Sequence, residues 1–189
     1  MTDNPTDEAL MARVCEGDQQ AFAVLVERHL PRAYAIARRV LGQQADAEDA
    51  AQEAFSKVWT HARDWKPERG SFAIWLGRIL VNASLDLGRR QTARRQLGDA
   101  DAVLAQLADH APDHASSYIC QQQAADIEQA LQRLPTQQRM AVVLCYFEEH
   151  SNPQAAALMG LHVKAVEGLL VRARKQLRVW LNRHREEHV

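Results

Sequence analysis

The apolar residues of this 189-residue chain recur with the spacing of an α-helix along most of its length. In the segments that follow Asp46, Ser71 and Val163, apolar side chains stand three and four residues apart. That spacing gathers them on one face of a helix, whereas the alternating Val, Ile and Thr runs that indicate strands are nearly absent. The sequence therefore predicts an all-α fold.

Capping and breaking residues divide the first 95 residues into four predicted helices, which would form one compact bundle. We expect Asp18 to cap the second helix, Pro31 to break or kink it, and Gly42 to end it. Asp46 is expected to open the third helix and Ser71 to cap the fourth. The predicted core positions are Leu10, Met11 and Val14, then Ala47, Ala51, Ala54, Phe55, Val58, Ala62 and Trp65, then Phe72, Trp75, Leu76, Ile79, Leu80, Ala83 and Leu87.

Charge is distributed unevenly along the chain, although the net charge is only -1. The stretch from Gln96 to Gln132 contains no Lys or Arg but six Asp or Glu residues. Its first part, residues 96–117, is rich in Ala, Asp and His, which predicts a flexible acidic linker. We therefore expect two small helical domains, residues 1–95 and 118–189, on either side of it.

No motif for catalysis, cofactor binding or metal binding is present. The chain lacks a phosphate-binding Gly loop, an H-E-x-x-H pair and a nucleophile elbow. Pro112 interrupts the helix that would aim His110 and His114 at one metal, and the three cysteines include no C-x-x-C pair. No apolar run is long enough to span a bilayer, and the N-terminus is acidic. These features predict a cytoplasmic protein that is not an enzyme, needs no cofactor or metal, and has free thiols.

Residues 152–170 have the pattern of a helix-turn-helix, followed by a long helix. Ala156 supplies the small residue where the two helices touch, and Gly160 supplies a turn residue that tolerates positive φ. The predicted buried stripe of the long helix is Val166, Leu169, Leu170, Ala173, Leu177, Trp180 and Leu181. The opposite face would present Lys164, Glu167, Gly168, Val171, Arg172, Lys175 and Arg178 to base edges and phosphates. An αα-hairpin with a solvated basic face is the alternative interpretation.

Two further sets of side chains stand apart on the first domain. A polar stripe lies opposite the apolar face of the third helix; it consists of Asp49, Gln52, Glu53 and Ser56, and a plain solvated face is an equal alternative. Aromatic and basic residues cluster around the turn at residues 67–70, and such a cluster can stack and hold unpaired bases. Its members are Trp59, Trp65, Phe72, Trp75, Arg78, Asn82, Arg89 and Arg90; for Phe72 and Trp75 we prefer a packing role.

Three motifs, in order along nearly the whole chain, resemble those of a bacterial RNA polymerase sigma factor of the extracytoplasmic-function (ECF) group of the sigma-70 family. Asp46–Trp59 looks like the polymerase-binding helix of that family, and Phe72–Arg90 looks like its promoter-melting helix. The segment Leu134–Arg139, followed by the helix-turn-helix, looks like the part that recognises the upstream element.

The resemblance implies a function and a set of site residues. The chain would bind core RNA polymerase through its β′ and β subunits, recognise promoter DNA, open it and direct transcription initiation, for instance in a stress response, under the control of an anti-sigma factor. The residues that match polymerase-binding positions are Asp46, Asp49, Gln52 and Glu53. Those that match -10 element positions are Trp65, Lys66, Arg69, Arg78, Asn82, Arg89 and Arg90, with the loop Asp64–Ser71. Those that match -35 element positions are Lys164, Glu167, Gly168, Val171, Arg172 and Lys175.

The chain departs from the family pattern at a few positions that bear on the -35 sequence. Gln154 stands where the family usually has Glu, and Glu167 and Gly168 stand where many members have basic or hydroxyl side chains. A free-standing helix-turn-helix regulator is the alternative function, and a protein that only mediates interactions is a third. A linker of about 20 residues and a near-neutral charge favour a subunit that recognises promoters only on polymerase. We also expect an inhibitor to clamp between the two domains and bury both the polar stripe and the Val163–His184 face.

Overall fold

A computed structural model describes residues 5–97 and 126–187 of the protein, with side chains up to residue 182. All regular structure in these two ranges is helical, which confirms the predicted all-α fold. The predicted linker, apart from Gln96 and Leu97, lies outside the described residues. The same holds for the predicted start of the second domain at Tyr118 and for the histidine pair His110 and His114.

The first described range contains four α-helices, and the second contains four more. The first four are α1 at Asp7–Cys15, α2 at Gln19–Leu41, α3 at Gln44–Thr60 and α4 at Phe72–Gln96, with 3-10 turns at Ala62–Asp64 and Pro67–Arg69 between α3 and α4. The second four are α5 at residues 126–132, α6 at Thr136–Val142, α7 at Asn152–Met159 and α8 at Val163–Glu187, and α6 continues into a π-helical turn at Val143–Phe147.

The predicted helix ends and caps agree with the structure, with three differences. The Asp18 carboxylate accepts hydrogen bonds from the backbone N–H groups of Gln20 and Ala21 at 2.9 and 3.0 Å, and these bonds and Arg13 lower its pKa. Gly42 ends α2 with a φ of 81°. Pro31, however, does not break α2, because apolar residues before and after it are buried in the same core. Helix α3 begins two residues before the expected start at Asp46, and Ser71 occupies the N-cap of α4 without a side-chain hydrogen bond.

The first four helices pack around one apolar core. Every predicted core position on α1, and every one from Ala47 to Trp65, is buried, and Phe72 is fully enclosed. On α4, Trp75, Ile79 and Leu87 are only half-buried. Full burial of side chains of this size contributes about 1.5 to 3 kcal/mol each, so this core stabilises the N-terminal domain, defined here as α1 to α4.

In the C-terminal domain, defined here as α5 to α8, helices α6 and α7 pack against the first half of α8. Val166, Leu169, Leu170 and Ala173 are buried there as predicted. Leu181 is 48% exposed, so its predicted burial is wrong. The reason is length: α8 has 25 residues, or about 37 Å, whereas α6 and α7 have seven and eight. The far half of α8 therefore extends beyond the two helices that cover its start.

The two domains are in direct contact. Helix α4 packs against α6 and α7, and α2 packs against α6 and the π-helical turn. The sequence led us to expect such an approach only with an inhibitor between the domains, and the contact leaves Asp49 and Lys164 exposed. In the described parts of the chain, only the bent pair of α7 and α8 has the length and apolar composition of a membrane span, and no single helix does.

Candidate functional site

The polar stripe predicted on α3 lies on the surface of the N-terminal domain. Asp49, Gln52 and Ser56 are exposed, and Glu53 is half-buried. The Lys57 ammonium lies 2.6 Å from a Glu53 carboxylate oxygen, one helical turn away. Because both partners are accessible to water, this ion pair contributes little to stability and a binding partner can replace it. The stripe therefore offers an exposed carboxylate, an exposed amide and one loosely held carboxylate.

Asp46, the fourth residue predicted for this face, is engaged within the domain. It lies half-buried, and its carboxylate accepts a hydrogen bond from the side-chain amide of Gln91 on α4. This contact ties the start of α3 to the second half of α4. The structure therefore brings Asp49, Gln52 and Glu53 together on the surface and gives Asp46 a role in positioning their helix.

An open apolar groove of about 810 Å³ runs beside the stripe, between α2 and α3. Phe22, Val26 and Leu30 on α2 line one wall, and Phe55 and Trp59 on α3 line the other. The rings of Phe22 and Trp59 lie 5.1 Å apart between their centres. This groove was not predicted from the sequence. The available signal was the four-residue spacing of Phe22, Val26 and Leu30, which leaves one apolar stripe of α2 on the surface.

A second candidate face follows α4. Arg78, Asn82 and Arg89 recur at spacings of four and seven residues, so they share one side of the helix, and all three are exposed. The Arg89 guanidinium pairs with the Asp86 carboxylate one turn away. Arg90 is exposed near the end of the helix. This arrangement places an amide, which can bond base edges, between guanidinium groups, which can bind phosphates.

The loop before α4 presents its cations but not its tryptophan. Lys66 and Arg69 are exposed, whereas Trp65 is only 9% exposed and packs in the domain core. Trp65 was also a predicted core position, and burial limits its use as a stacking platform for DNA in this arrangement. Gly70 has φ 133° and ψ 166°, a conformation that only glycine adopts readily, so it fixes the path of the loop into α4.

The third face belongs to α7, α8 and the turn between them. Ser151 and Gln154 form a capping box at the start of α7: the Ser151 backbone N–H donates to the Gln154 side chain at 2.8 Å, and the Gln154 backbone N–H donates to the Ser151 hydroxyl at 3.4 Å. Gly160 ends α7 with a φ of 63°. The chain then bends by 103° into α8, within the 90 to 120° range of helix-turn-helix units.

The exposed side of α8 is basic, as predicted. Lys164, Glu167, Arg172 and Lys175 are exposed, and Val171 is 59% exposed. Gly168 is half-buried, because the Arg172 guanidinium lies along it: a Cβ atom at this glycine would be 3.4 Å from Arg172 Nη1. The face thus combines three cations with an apolar valine, which suits phosphates and a thymine methyl group.

Comparisons with known proteins find matches in both domains. Residues 25–94 match the family model for Sigma-70 region 2, and residues 124–177 match the model for Sigma-70 region 4. The chain is 38% identical to the RNA polymerase sigma factor NccH of Alcaligenes xylosoxydans xylosoxydans, over 94% of this chain and 95% of that protein. It is 36% identical to the ECF RNA polymerase sigma factor SigE of Mycolicibacterium smegmatis, over 98% of this chain and 72% of that protein.

A solved structure resembles the chain as well. The sigma factor RpoE of Bartonella quintana, in complex with the anti-sigma factor NepR, has a TM-score of 0.66 and 25% sequence identity. The similarity covers 85% of this chain and 96% of that one. It therefore includes parts of both domains.

Proposed function

Because the chain belongs to the ECF group of the sigma-70 family, we propose that each of its three exposed faces has one task in transcription initiation. The face on α3 binds polymerase, the face on α4 takes part in strand opening, and the face on α8 recognises the upstream element. The protein is a sigma factor: it binds core RNA polymerase, directs promoter recognition and opening, and is not an enzyme. The match over residues 25–94 excludes the free-standing helix-turn-helix regulator. We assign residues 1–95 to region 2, 96–117 to the linker and 118–189 to region 4.

The stripe on α3 and the groove beside it together form the proposed docking surface for the β′ coiled coil. A coiled coil buries its apolar seam between its own helices and presents on its outer faces charged side chains whose stems are apolar. The groove, lined by Phe22, Val26, Phe55 and Trp59, offers apolar walls, and the stripe supplies the polar edge next to them. The observation that carries this proposal is that Asp49 and Gln52 are exposed directly beside an apolar groove that the N-terminal domain leaves open.

A charge-reversal experiment tests the docking surface. The double variant Asp49→Lys, Glu53→Lys should no longer co-purify with core polymerase, while its circular dichroism spectrum stays unchanged because both residues lie on the surface. The matched control is Glu8→Lys, Glu16→Lys, which makes the same charge change at exposed positions of and next to α1 and should bind normally. Undiminished binding of the α3 variant would show that polymerase docks elsewhere.

The exposed stripe on α4 and the loop before it are proposed to hold the opened -10 element. Asn82 would bond an unpaired base, while Arg78, Arg89 and Arg90 and the loop cations Lys66 and Arg69 bind the backbone; all are exposed. The basic face of α8 is proposed to enter the major groove at the -35 element. The bend of 103° and the exposure of Lys164, Arg172 and Lys175 support this role.

Control by an anti-sigma factor is proposed from the likeness to the Bartonella quintana protein, which was solved with such a partner. The exposed faces on α3 and α8 are the surfaces that a partner of this kind would have to cover. We place the protein in the bacterial cytoplasm, where core polymerase and promoter DNA are found. Fractionation of cells that produce the protein at its native level tests this assignment.

A further inference from the structure

A partly open cavity of about 100 Å³ lies between the two domains, and the proposed function does not use it. Helices α2 and α4 supply one part of its lining. The rest comes from Leu144 in the π-helical turn, from His150 before α7 and from Leu158 on α7. Any molecule that fills the cavity would therefore touch both domains.

The floor of the cavity is apolar. It is formed by Ile36, Leu80, Val81, Leu144 and Leu158, none of which is more than 8% exposed. Such a floor offers water no hydrogen bonds, and an apolar cavity of about 150 Å³ lined by Leu, Ile and Phe binds benzene. Because this cavity is smaller but open on one side, it fits a ring or a branched chain of about six carbon atoms.

The mouth of the cavity is polar and basic. Arg32 is exposed there, and His29 and His150 are half-buried. These are the polar side chains of the lining, and among the described residues no Asp or Glu lines the cavity. The mouth therefore favours an acidic group over an amine, because a second cation would lie close to the Arg32 guanidinium.

Two of the three basic side chains still have hydrogen-bond donors to offer. The Arg32 Nε atom lies 2.6 Å from a Glu148 carboxylate oxygen, which leaves the other N–H groups of the guanidinium for a second acceptor. His29 Nε2 is held by Asp7 at 2.7 Å. The His150 imidazole has no hydrogen-bond partner among the described residues. Burial, and then the Arg32 charge, lower its pKa, so it is neutral at pH 7 and can donate one N–H.

We propose that this cavity binds a small monocarboxylic acid whose apolar body, aromatic or branched, has about six carbon atoms. The body would lie on the apolar floor, and the carboxylate would accept hydrogen bonds from Arg32 and His150 at the mouth. The site goes beyond the proposed function and does not depend on it. A bound acid would stabilise the arrangement of the two domains described here, in proportion to the logarithm of its concentration above the dissociation constant.

Three probes of the same ring size test the site: benzoate, benzamide and benzylamine, which are anionic, neutral and cationic at pH 7. Each is titrated into the intact chain, and the methyl resonances of Ile, Leu and Val are followed by NMR. Benzoate should shift the methyl resonances of Ile36, Leu80, Leu144 and Leu158, with a dissociation constant of about 1 mM. Benzamide should bind about tenfold more weakly, because it loses the charge-assisted hydrogen bonds. Benzylamine and acetate should not bind.

Two substitutions that occupy the cavity should abolish benzoate binding. Ala73→Phe places a ring at the mouth, at an exposed position of α4, so folding should be unaffected. Its matched control, Ala93→Phe, lies at an exposed position of the same helix away from the cavity and should bind benzoate normally. Leu144→Phe fills the floor instead. If circular dichroism shows that Leu144→Phe does not fold, the exposed Ala73→Phe decides.

A third substitution tests the acidic head group. His150→Leu removes the N–H donor at similar volume and should weaken benzoate binding about tenfold. His150→Gln keeps a donor and should restore most of the affinity.

Benzoate binding that is lost in Ala73→Phe and kept in Ala93→Phe would support the site. Binding that survives Ala73→Phe, or shifts confined to methyl groups of the groove between α2 and α3, would overturn it. Benzylamine binding as tight as that of benzoate would overturn the assignment of an acid. None of these results depends on polymerase or DNA, so the failure of the proposed function would leave them unchanged.

Discussion

Arg139 is a buried cation that stabilises the structure instead of contacting DNA. Burial, with the nearby Arg95 as a second cause, lowers the pKa of its guanidinium to about 10, so it remains charged at neutral pH. Its bonds to the carbonyl oxygens of Gln132 and Leu134 hold the turn between α5 and α6, because carbonyl groups at the end of a helix lack partners within that helix. Arg139, the last residue of the motif Leu134–Arg139, therefore stabilises the fold of the C-terminal domain.

Asn82, in contrast to the buried Arg139, is exposed on the side of α4 that faces neither the core nor the C-terminal domain. We predict that Asn82→Ala lowers open-complex formation on a duplex promoter at least tenfold, because its amide bonds a base only after the strands separate. On a template already unpaired at the -10 element the loss should be smaller. Permanganate footprinting on both templates measures the effect, and equal losses would indicate that Asn82 acts on the duplex.

The turn between α7 and α8 sets the direction of the recognition helix. Gly160 has a φ of 63°, and no atom lies within 4 Å of the position that a Cβ would occupy. Gly160→Ala should therefore lower the free energy of unfolding by about 1 to 2 kcal/mol through backbone strain alone. Gly160→Asn should cost less, because asparagine tolerates this conformation better. Thermal or urea denaturation measures both, and an equal loss would point to a steric cause that the structure does not show.

At the scale of helices, the sequence predicts what depends on local chemistry. Asp18 and Gly42 act at the ends where capping rules place them, and the core face of α3 has the predicted members. The differences arise where packing outweighs local preference: α2 runs through Pro31, and Leu181 is exposed because no described helix covers the far half of α8. The groove beside α3 was missed because an open apolar surface has the same spacing as a buried one.

The contact between the domains was beyond prediction from the sequence. In the sequence, Gly77 and Gly88 are only residues of low helix propensity. Their role depends on Leu158 and Thr136, which pack against them and lie some 50 to 80 positions later in the chain. Similarly, nothing in the sequence indicates that Arg139 and Glu148 contact residues of α2. Long-range pairs of this kind require the fold, whereas the site residues on α3, α4 and α8 could be placed from helical periodicity and the family resemblance.

Acid should favour separation of the two domains. His150 lies half-buried in the wall of the partly open cavity of about 100 Å³ between the domains, with His29 and Arg32 on the opposite wall. Burial lowers its pKa below the ordinary value of 6.5, the Arg32 charge lowers it further, and Glu148 partly opposes the shift. His150 thus binds a proton less well when the domains are in contact than when they are apart, so the stability of the contact is fully present above about pH 6.5 and falls as the pH drops toward the lowered pKa.

The distance between spin labels at the exposed positions Ala12 and Gln176, in a chain whose three native cysteines are replaced, tests this prediction when measured at pH 7.5 and 5.5. The parent chain should shift toward longer distances at the lower pH. The variant His150→Gln, which cannot be protonated in this range, should shift less. Identical pH profiles of the parent chain and the variant would show that His150 does not cause the effect.

The most direct test of the whole account is run-off transcription with purified core polymerase on a promoter library. The parent chain should produce transcripts from a defined set of promoters that share both a -10 and a -35 sequence. Asp49→Lys, Glu53→Lys should abolish all of them, whereas Lys164→Ala should weaken mainly promoters that depend on the -35 element. Promoter-specific transcripts that survive reversal of the α3 stripe, or a chain that binds polymerase yet adds no specific transcripts, would contradict the account.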